Sequence, residues 1–307
     1  MHEVTLSDAV YTAVAYSDIF SFPLTIDELL YFLPWKPEVS RTKILRCINT
    51  LDLNMQKGYV SLSRRSNFIN LRKKRSVVAK EKWNRVYSKL WIFQFFPTVC
   101  LVAVTGALSM NNVEKDDDID LLVVTNGNTV WITRFVLTLV FDFLNVRRRP
   151  NDVHVSNLFC LNMYLSSNAL EIAKENRNFY IAHEIVQMVP VFDRDNTYRL
   201  FCQKNTWVKA MLPHAVNRIL RQKHNMRREL GIFAESVQKL FFASMEILDV
   251  LFMYVQLLYM KTRHTREIIM RQRIQFHPVD ANDWVYKKFA VRLRRKRIPL
   301  DKIFFTR

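Results

Sequence analysis

Glycine and cysteine are scarce in this chain. Four glycines among 307 residues indicate few tight turns, and together with many leucines, phenylalanines and methionines they favour a mostly helical protein. The four cysteines are far apart and include no C-x-x-C pair, which argues against a zinc site and against a disulfide framework. Isolated cysteines fit a reducing compartment, so we expect a cytoplasmic protein.

Several catalytic motifs are also missing. The sequence has no G-x-x-x-x-G-K-[ST] loop, so a Walker-type ATPase is not supported, and it has neither a G-x-S-x-G elbow nor an H-E-x-x-H pair. His183 and Glu184 are neighbours in the apolar stretch IAHEIVQM, where a structural histidine is the expected interpretation.

Membrane and export signals are weak. Glu3 and Asp8 precede any apolar run and no basic n-region is present, so an ordinary signal peptide is not expected. Residues 90 to 113 carry no charge, and an uncharged run of this length could span a membrane. Pro97 interrupts that run and a β-rich segment follows, so we interpret it as a helix end, a turn and a buried strand, and we expect no membrane partner.

Positive charge is abundant. The formal net charge is +18, the isoelectric point is near 9.9, and half of the residues are apolar. A chain of this size can bury a core for two or three domains. The excess of lysine and arginine favours a polyanionic partner, because neutralising phosphates releases condensed counterions. DNA or RNA, bound through basic surfaces, is the expected class.

Residues 1–63 have the order of a winged-helix-like module. Three short helices are predicted, capped by Ser7, by a Thr25–Glu28 capping box and by Ser40, and a Lys57-Gly58 turn leads into the strand YVSLS. The third helix carries a basic face that could enter a DNA major groove. The alternatives are a small helical domain with a solvated basic face and a protein-contact module. The basic residues of that face are Arg41, Lys43 and Arg46.

The rest of the chain predicts an α+β protein. Residues 64–95 are expected to form one connecting helix, and residues 96–168 a small mixed-sheet core with strands VCLVAVT, IDLLVVT and 153–165 around a helix at 129–145. Residues 169–307 are expected to be helical almost throughout, with an amphipathic bundle helix at 230–261. RLRRKR at 292–297 is either a phosphate contact or a solvated helix face.

Four aspartates, residues 116 to 118 and 120, stand at the entrance of the second strand. Side chains alternate along a strand, so Asp118 and Asp120 should project to one side, about 6 to 7 Å apart along the backbone. Two carboxylates so placed can share Mg²⁺, which takes oxygen ligands and substrate phosphates. Gly106 allows backbone N–H groups to approach a phosphate. A loop that merely keeps the strand soluble is the alternative.

This pattern resembles the signature of the polymerase-β-like nucleotidyltransferase superfamily. The resemblance covers residues 96 to 165 and consists of an apolar strand, Gly106-Ala107, a ten-residue spacer, and Asp118-Ile119-Asp120-Leu121. The order of a winged-helix-like N-terminus, this core and a helical C-terminus also resembles bacterial proteins with a nucleotidyltransferase domain. The C-terminal elements of that likeness are IAHEIVQM at 181–188 and FHPVD at 276–280.

The resemblance implies a metal-dependent nucleotidyltransferase. The mechanism would use two metal ions: Asp118 and Asp120 would be catalytic ligands for Mg²⁺ or Mn²⁺, the substrate would be an NTP, and pyrophosphate would leave as a nucleoside monophosphate moves to an acceptor. The nucleotide-binding residues would be Thr105, Gly106, Ala107 and Ser109.

Two departures from the family pattern bear on activity. Gly106-Ala107 replaces the usual Gly-Ser, so Ser109 or Thr105 would have to supply the missing hydroxyl. The third carboxylate of the family has no counterpart in residues 155 to 165, which leaves Asp152 as a candidate metal ligand and Asn162 as a weak one. The alternative function is therefore a catalytically degenerate nucleotidyltransferase-fold protein that acts as a nucleic-acid-binding or regulatory module.

Overall fold

The structure, a computed structural model, describes residues 4–62, 67–150, 152–221, 232–260, 268–275 and 280–299. The mixed α+β class is confirmed, since helices and two sheets alternate along the chain. The FHP part of FHPVD, with the valine after it, lies outside the described residues.

The N-terminal elements are three helices and three short strands. They are α1 (Leu6–Ile19), β1 (Leu24–Thr25), α2 (Ile26–Tyr31), α3 (Arg41–Thr50), β2 (Asn54–Gln56) and β3 (Tyr59–Ser61). The Thr25–Glu28 capping box and the Ser40 cap are confirmed. The cap predicted at Ser7 is wrong, because Thr5 and Asp8 exchange side-chain and backbone hydrogen bonds and start α1 earlier.

The short strands form an antiparallel sheet in the order β1-β3-β2. Lys57 and Gly58 connect β2 to β3 with φ angles of 51° and 80°, as a two-residue hairpin turn of type I′ requires. The turn and strand predicted here are confirmed. On α3, Ile44 and Ile48 are buried while the three basic residues of the opposite face are exposed.

The connecting segment is two helices and not one. α4 spans Asn67–Tyr87 and α5 spans Trp91–Gln94. Between them the Ser88 hydroxyl donates to the Arg85 carbonyl. The backbone N–H of Lys89 then donates to the carbonyl of Val86, three residues back, in place of the i→i−4 partner of an α-helix. A side-chain hydroxyl that competes for a helical carbonyl is a common reason for a helix to stop.

A six-stranded sheet in the order β7-β4-β5-β6-β9-β8 organises the rest. β5 and β6 are parallel, and the other pairs are antiparallel. The strands are β4 (Val99–Val104), β5 (Ile119–Thr125), β6 (Phe159–Ser166), β7 (Val189–Asp193), β8 (Ile268–Met270) and β9 (Arg273–Gln275). β4 and β5 confirm the two predicted strands.

Two expectations about this sheet are wrong. The third strand begins at Phe159 and not at residue 153, and the positive φ of Asn157 (62°) marks the loop that precedes it. The region after residue 169 is not almost wholly helical, because β7, β8 and β9 join the sheet. β7 and β9 pair with strands that are distant in the sequence, and β8 pairs with the adjacent β9.

The remaining helices surround the sheet. They are α6 (Gly106–Ser109), α7 (Val130–Phe143), α8 (Phe179–Gln187), α9 (Thr197–Lys204), α10 (Val208–Met211), α11 (Pro213–Arg221), α12 (Ile232–Met260) and α13 (Asp280–Arg294). The predicted bundle helix corresponds to α12. Within the described ranges, no helix combines the length and apolar content needed to cross a bilayer.

α12 supplies the N-cap of a neighbouring helix. Thr129 precedes α7 but makes no side-chain cap bond. Instead the buried Asp249 carboxylate of α12 accepts from the backbone N–H groups of Trp131 (2.7 Å) and Ile132 (2.8 Å). Burial raises the pKa of Asp249 to about 6, although the two hydrogen bonds act to lower it. Asp249, on the acidic side of α12, therefore stabilises the packing of α12 against α7.

Each face of the large sheet covers its own core. One face, with Leu122 and Val124 of β5, packs with α1, α8 and α13. The other face, with Leu121 and Val123, packs with α7 and part of α4. The basic stretch 292–297 is not simply solvated, because Arg292 Nε donates to Asp18 Oδ2 on α1 at 2.9 Å.

Candidate metal and nucleotide site

Asp118 and Asp120 lie together at the start of β5, as the alternation of strand side chains predicts. Their carboxylate oxygens and the Cys160 sulfur all lie within 4.8 Å of one another. Arg148 Nη1, from the loop after α7, donates to Asp118 Oδ2 at 2.6 Å. The site thus contains two acids, one thiol and one guanidinium.

Gly106 is packed directly against this pair. It opens α6 with φ +63°, and a Cβ at this position would lie 2.8 Å from Asp120 Oδ2. The Thr105 N–H donates to the Asp120 carbonyl at 3.0 Å, which ties the turn to β5. Both the left-handed backbone and the short distance require glycine here. The predicted bend therefore leads into a four-residue helix beside the acids.

The other predicted nucleotide-binding residues differ in availability. Ser109 donates its hydroxyl to the Gly106 carbonyl at 2.8 Å, so this group is used within α6. Thr105 makes no side-chain cap bond, and its hydroxyl is the better replacement for the absent serine. Ala107 lines an adjacent cavity.

Cys160 occupies the strand position next to Asp120. The two residues are register partners across the parallel β5–β6 pair. The thiol hydrogen-bonds the Asp120 carboxylate, and burial followed by the charges of Asp120 and Asp118 raises the pKa of Cys160. The neutral thiol is therefore a hydrogen-bond donor to Asp120.

The structure does not bring Asp152 to the pair. Its carboxylate accepts from its own turn, the Arg149 N–H at 2.7 Å, and its side chain is exposed. It does not belong to the group of donor atoms formed by the two acids and Cys160. Asn162 lies further along β6, with a buried Oδ1 that has no hydrogen-bond partner among the described residues.

Glu184 is the acid that sequence reasoning missed. It lies on α8, and burial followed by the charge of Asp120 raises its pKa to about 7. Burial followed by the charge of Asp118 likewise raises the pKa of Asp120 to about 7. A lone glutamate in the apolar run IAHEIVQM was the available signal.

His183, beside Glu184, is structural, as predicted. Its ring is buried, its Nδ1 lies 2.9 Å from the Phe179 carbonyl, and it stacks on Tyr16 at 3.9 Å between ring centroids. Burial lowers the pKa of His183 to about 3, so the imidazole is neutral.

Lys82 fixes the acidic turn that precedes β5. Its ammonium, on α4, is buried with 1% of the residue exposed, and it donates to the carbonyls of Asp117 (2.6 Å) and Lys115 (3.1 Å) and to Asn157 Oδ1 (3.2 Å). Burial lowers the pKa of Lys82, although the charges of the nearby aspartates act to raise it. These three hydrogen bonds fix the segment that leads into β5.

The aspartates of the run have different roles. Asp117 Oδ2 accepts from the Glu114 N–H at 2.7 Å and closes the turn. Asp116 is exposed. Of the four aspartates, only Asp118 and Asp120 contribute carboxylates to the site.

The donor set fits one hard divalent cation. Mg²⁺ and Mn²⁺ prefer oxygen, and Asp118 with Asp120 supplies two carboxylates, with room in the coordination sphere for phosphate and water. The neutral Cys160 thiol is a poor ligand for such an ion. Among the described residues, Asp118, Asp120 and Cys160 form the one group of three such donors.

Comparisons with protein-family models, with curated proteins and with solved structures gave no match.

The free energy of unfolding should report the burial of the Asp120 carboxyl and, after it, the repulsion by the Asp118 charge. The folded-state pKa of Asp120 is raised from 3.8 to about 7, so the stability it contributes is fully present below the unfolded value and is lost as the pH rises to about 7. In EDTA, Asp120→Asn should therefore stabilise the protein at pH 8 by about 1 to 3 kcal/mol, at roughly 1.4 kcal/mol per pKa unit. At pH 5 the gain should be much smaller. Urea unfolding at both pH values measures this.

The matched control is Asp116→Asn in the same run, whose exposed carboxylate should change stability little at either pH. An equal effect of Asp120→Asn at pH 5 and pH 8 would contradict the electrostatic origin.

Proposed function

We propose that this protein is a metal-dependent nucleotidyltransferase that moves a nucleoside monophosphate from an NTP to an acceptor. The proposal depends chiefly on one arrangement, two carboxylates at a strand entrance in contact with a glycine turn. Asp118 and Asp120 supply the acids, and Gly106 supplies a turn that approaches Asp120 Oδ2 to a distance no other residue would allow. The polymerase-β-like sequence pattern supports the same interpretation.

In this proposal each group of the chain has a defined task. Mg²⁺ or Mn²⁺ on Asp118 and Asp120 would neutralise the triphosphate and lower the pKa of the acceptor hydroxyl. The glycine at the Gly106 turn would let backbone N–H groups approach the phosphate oxygens without a side chain in the way. Arg148, held on Asp118 at 2.6 Å, places a positive charge where charge develops on the phosphates.

Glu184 is the candidate proton acceptor. A carboxylate with a pKa near 7 is suited to take a proton from an acceptor group at neutral pH. It approaches the site from α8, on the β7 side of the sheet, while Arg148 approaches from the β6 side.

We further propose that the large sheet is a nucleotidyltransferase core flanked by an N-terminal winged-helix-like module. The helix order and the three-stranded antiparallel sheet with a type I′ hairpin support the module. The exposed basic face of α3 supports contact with DNA or RNA. The free thiols of the four cysteines fit a cytoplasmic location.

A catalytically degenerate scaffold is the second candidate. A thiol, Cys160, beside Asp120 and the Arg148 ion pair on Asp118 favour it, since both reduce the capacity for metal. In that case the N-terminal module would carry the function, as a nucleic-acid-binding or regulatory element.

Label transfer separates the two candidates. Each of the four α-³²P-labelled triphosphates is incubated with the protein and a cell extract, in Mg²⁺ and in Mn²⁺. The enzyme hypothesis predicts transfer that the double change Asp118→Asn with Asp120→Asn reduces to background. Asp116→Asn, an exposed carboxylate of the same run, should retain wild-type transfer.

The absence of transfer from all four triphosphates with both metals would contradict the enzyme and favour the scaffold. Persistent transfer by the double variant would show that the chemistry lies elsewhere.

A further inference from the structure

A cavity of about 190 Å³ adjoins the candidate site. Its walls come from the end of α1 and the loop after it, from α6, from α8 and from α13. At about 30 Å³ for each water in the liquid, the volume corresponds to roughly six waters, or a ligand of about seven heavy atoms. Gly106 and Ala107 belong to its wall, and Gly106 is also the residue that packs against Asp120.

Aromatic rings dominate the cavity wall. Phe20 lies between two of the others, with centroid distances of 5.4 Å to Tyr16 and 5.7 Å to Trp284. The aromatic residues that line the cavity are Tyr16, Phe20, Phe22, Tyr180 and Trp284. Ring faces carry negative electrostatic potential and attract organic cations.

Two rings of this wall already bind cations of the protein. The Arg72 guanidinium lies 3.9 Å from the Phe22 centroid, and the Lys288 ammonium lies 4.7 Å from the Trp284 centroid. Phe22 and Trp284 therefore already bind cations. Neither of these cations, Arg72 or Lys288, lines the cavity.

The cavity also contains one ionisable acid. Of the described residues that line it, Glu184 is the one with a charged side chain. Burial and the charge of Asp120 act on the pKa of its carboxyl, and no hydrogen bond or positive charge of a described residue does so. An acid in an aromatic wall without a counter-ion is costly, and a ligand cation would remove that cost.

We propose that this cavity is a binding site for a compact organic cation of the ammonium class, with Glu184 as its counter-ion and the aromatic wall as its cage. The binding itself is independent of nucleotidyl transfer. Because Gly106 belongs to both the cavity wall and the candidate site, the bound molecule is the candidate acceptor, and that assignment rests on the proposed function.

Choline and its neutral isostere 3,3-dimethylbutan-1-ol provide the test, because they match in shape and differ in charge. Isothermal titration of the full chain in EDTA, without nucleotide, should show choline binding at least about tenfold more tightly than the isostere. Equal affinity of the two probes, or no choline binding, would overturn the proposal. Since metal and nucleotide are absent, either result is separate from the label-transfer experiment.

Glu184→Gln tests the counter-ion. This nearly isosteric change should weaken choline at least about fivefold and leave the isostere unchanged. Glu38→Gln, at an exposed glutamate, is the control and should bind choline as the wild type does. An unaltered preference for choline in Glu184→Gln would remove Glu184 from the site. If that variant does not fold, the comparison of probes on the wild type still decides the matter.

Discussion

Lys82→Met should lower the free energy of unfolding by about 2 to 4 kcal/mol and loosen the acidic turn. Methionine retains the volume and the apolar stem of the buried side chain, so the change removes the ammonium and little else. The carbonyls of Asp117 and Lys115, now 2.6 and 3.1 Å from Nζ, would lose their donor, and each unsatisfied buried group costs about 1 to 3 kcal/mol. The nearby aspartates would also lose a neighbouring positive charge.

Urea unfolding and hydrogen exchange measure the two parts of this prediction. Exchange should accelerate at residues 114 to 118 in Lys82→Met, and Mg²⁺ affinity should fall with it, because the turn positions Asp118. Lys80→Met is the matched control, an exposed lysine of the same helix. If both variants are equally stable and equally protected, Lys82 does not hold the turn.

Gly106→Ala should remove most divalent-cation binding and, on the proposed function, most label transfer. The new methyl group would lie 2.8 Å from Asp120 Oδ2, so either the turn or the carboxylate must move. The left-handed backbone adds a further penalty of about 1 to 2 kcal/mol. A displacement of the order of 1 Å at a metal ligand is enough to lower activity by about a hundredfold.

Gly58→Ala separates the clash from the backbone strain. Gly58 has a comparable φ of +80°, but a Cβ there would meet nothing within 4 Å. This variant should lose stability by about 1 to 2 kcal/mol and keep full cation affinity. Equal cation affinities in Gly106→Ala and Gly58→Ala, measured by Mn²⁺ titration, would contradict a direct role of the Gly106–Asp120 contact.

Local signals in the sequence were sufficient for the short-range features. The Thr25–Glu28 box, the Ser40 cap and the Lys57-Gly58 turn depend on residues one to three positions apart, and each has the predicted form. The juxtaposition of Asp118 and Asp120 follows from strand alternation alone. These features need no knowledge of distant residues.

The missed residues depend on contacts between distant segments. Glu184 reaches the neighbourhood of Asp120 because α8 precedes β7, which pairs with β4. Cys160 reaches Asp120 through the parallel register of β5 and β6. Lys82 reaches the acidic turn from α4. No periodicity within α8, β6 or α4 encodes these distances.

The short strands were missed for a related reason. β8 and β9 have three residues each, and most of their stabilisation comes from β6 and from each other. Such runs lack the length at which alternation becomes a reliable signal. The end of α4 at Tyr87 was missed because a single serine hydroxyl determines it.

The order of the large sheet has a consequence for biosynthesis. β6 pairs with β9, whose residues Arg273–Gln275 follow Phe159–Ser166 by more than a hundred positions. At about 5 to 20 residues per second, the ribosome needs roughly 5 to 20 seconds to cover that distance. During this interval the nascent chain presents an unpaired apolar edge, which is the kind of surface that holdase chaperones capture.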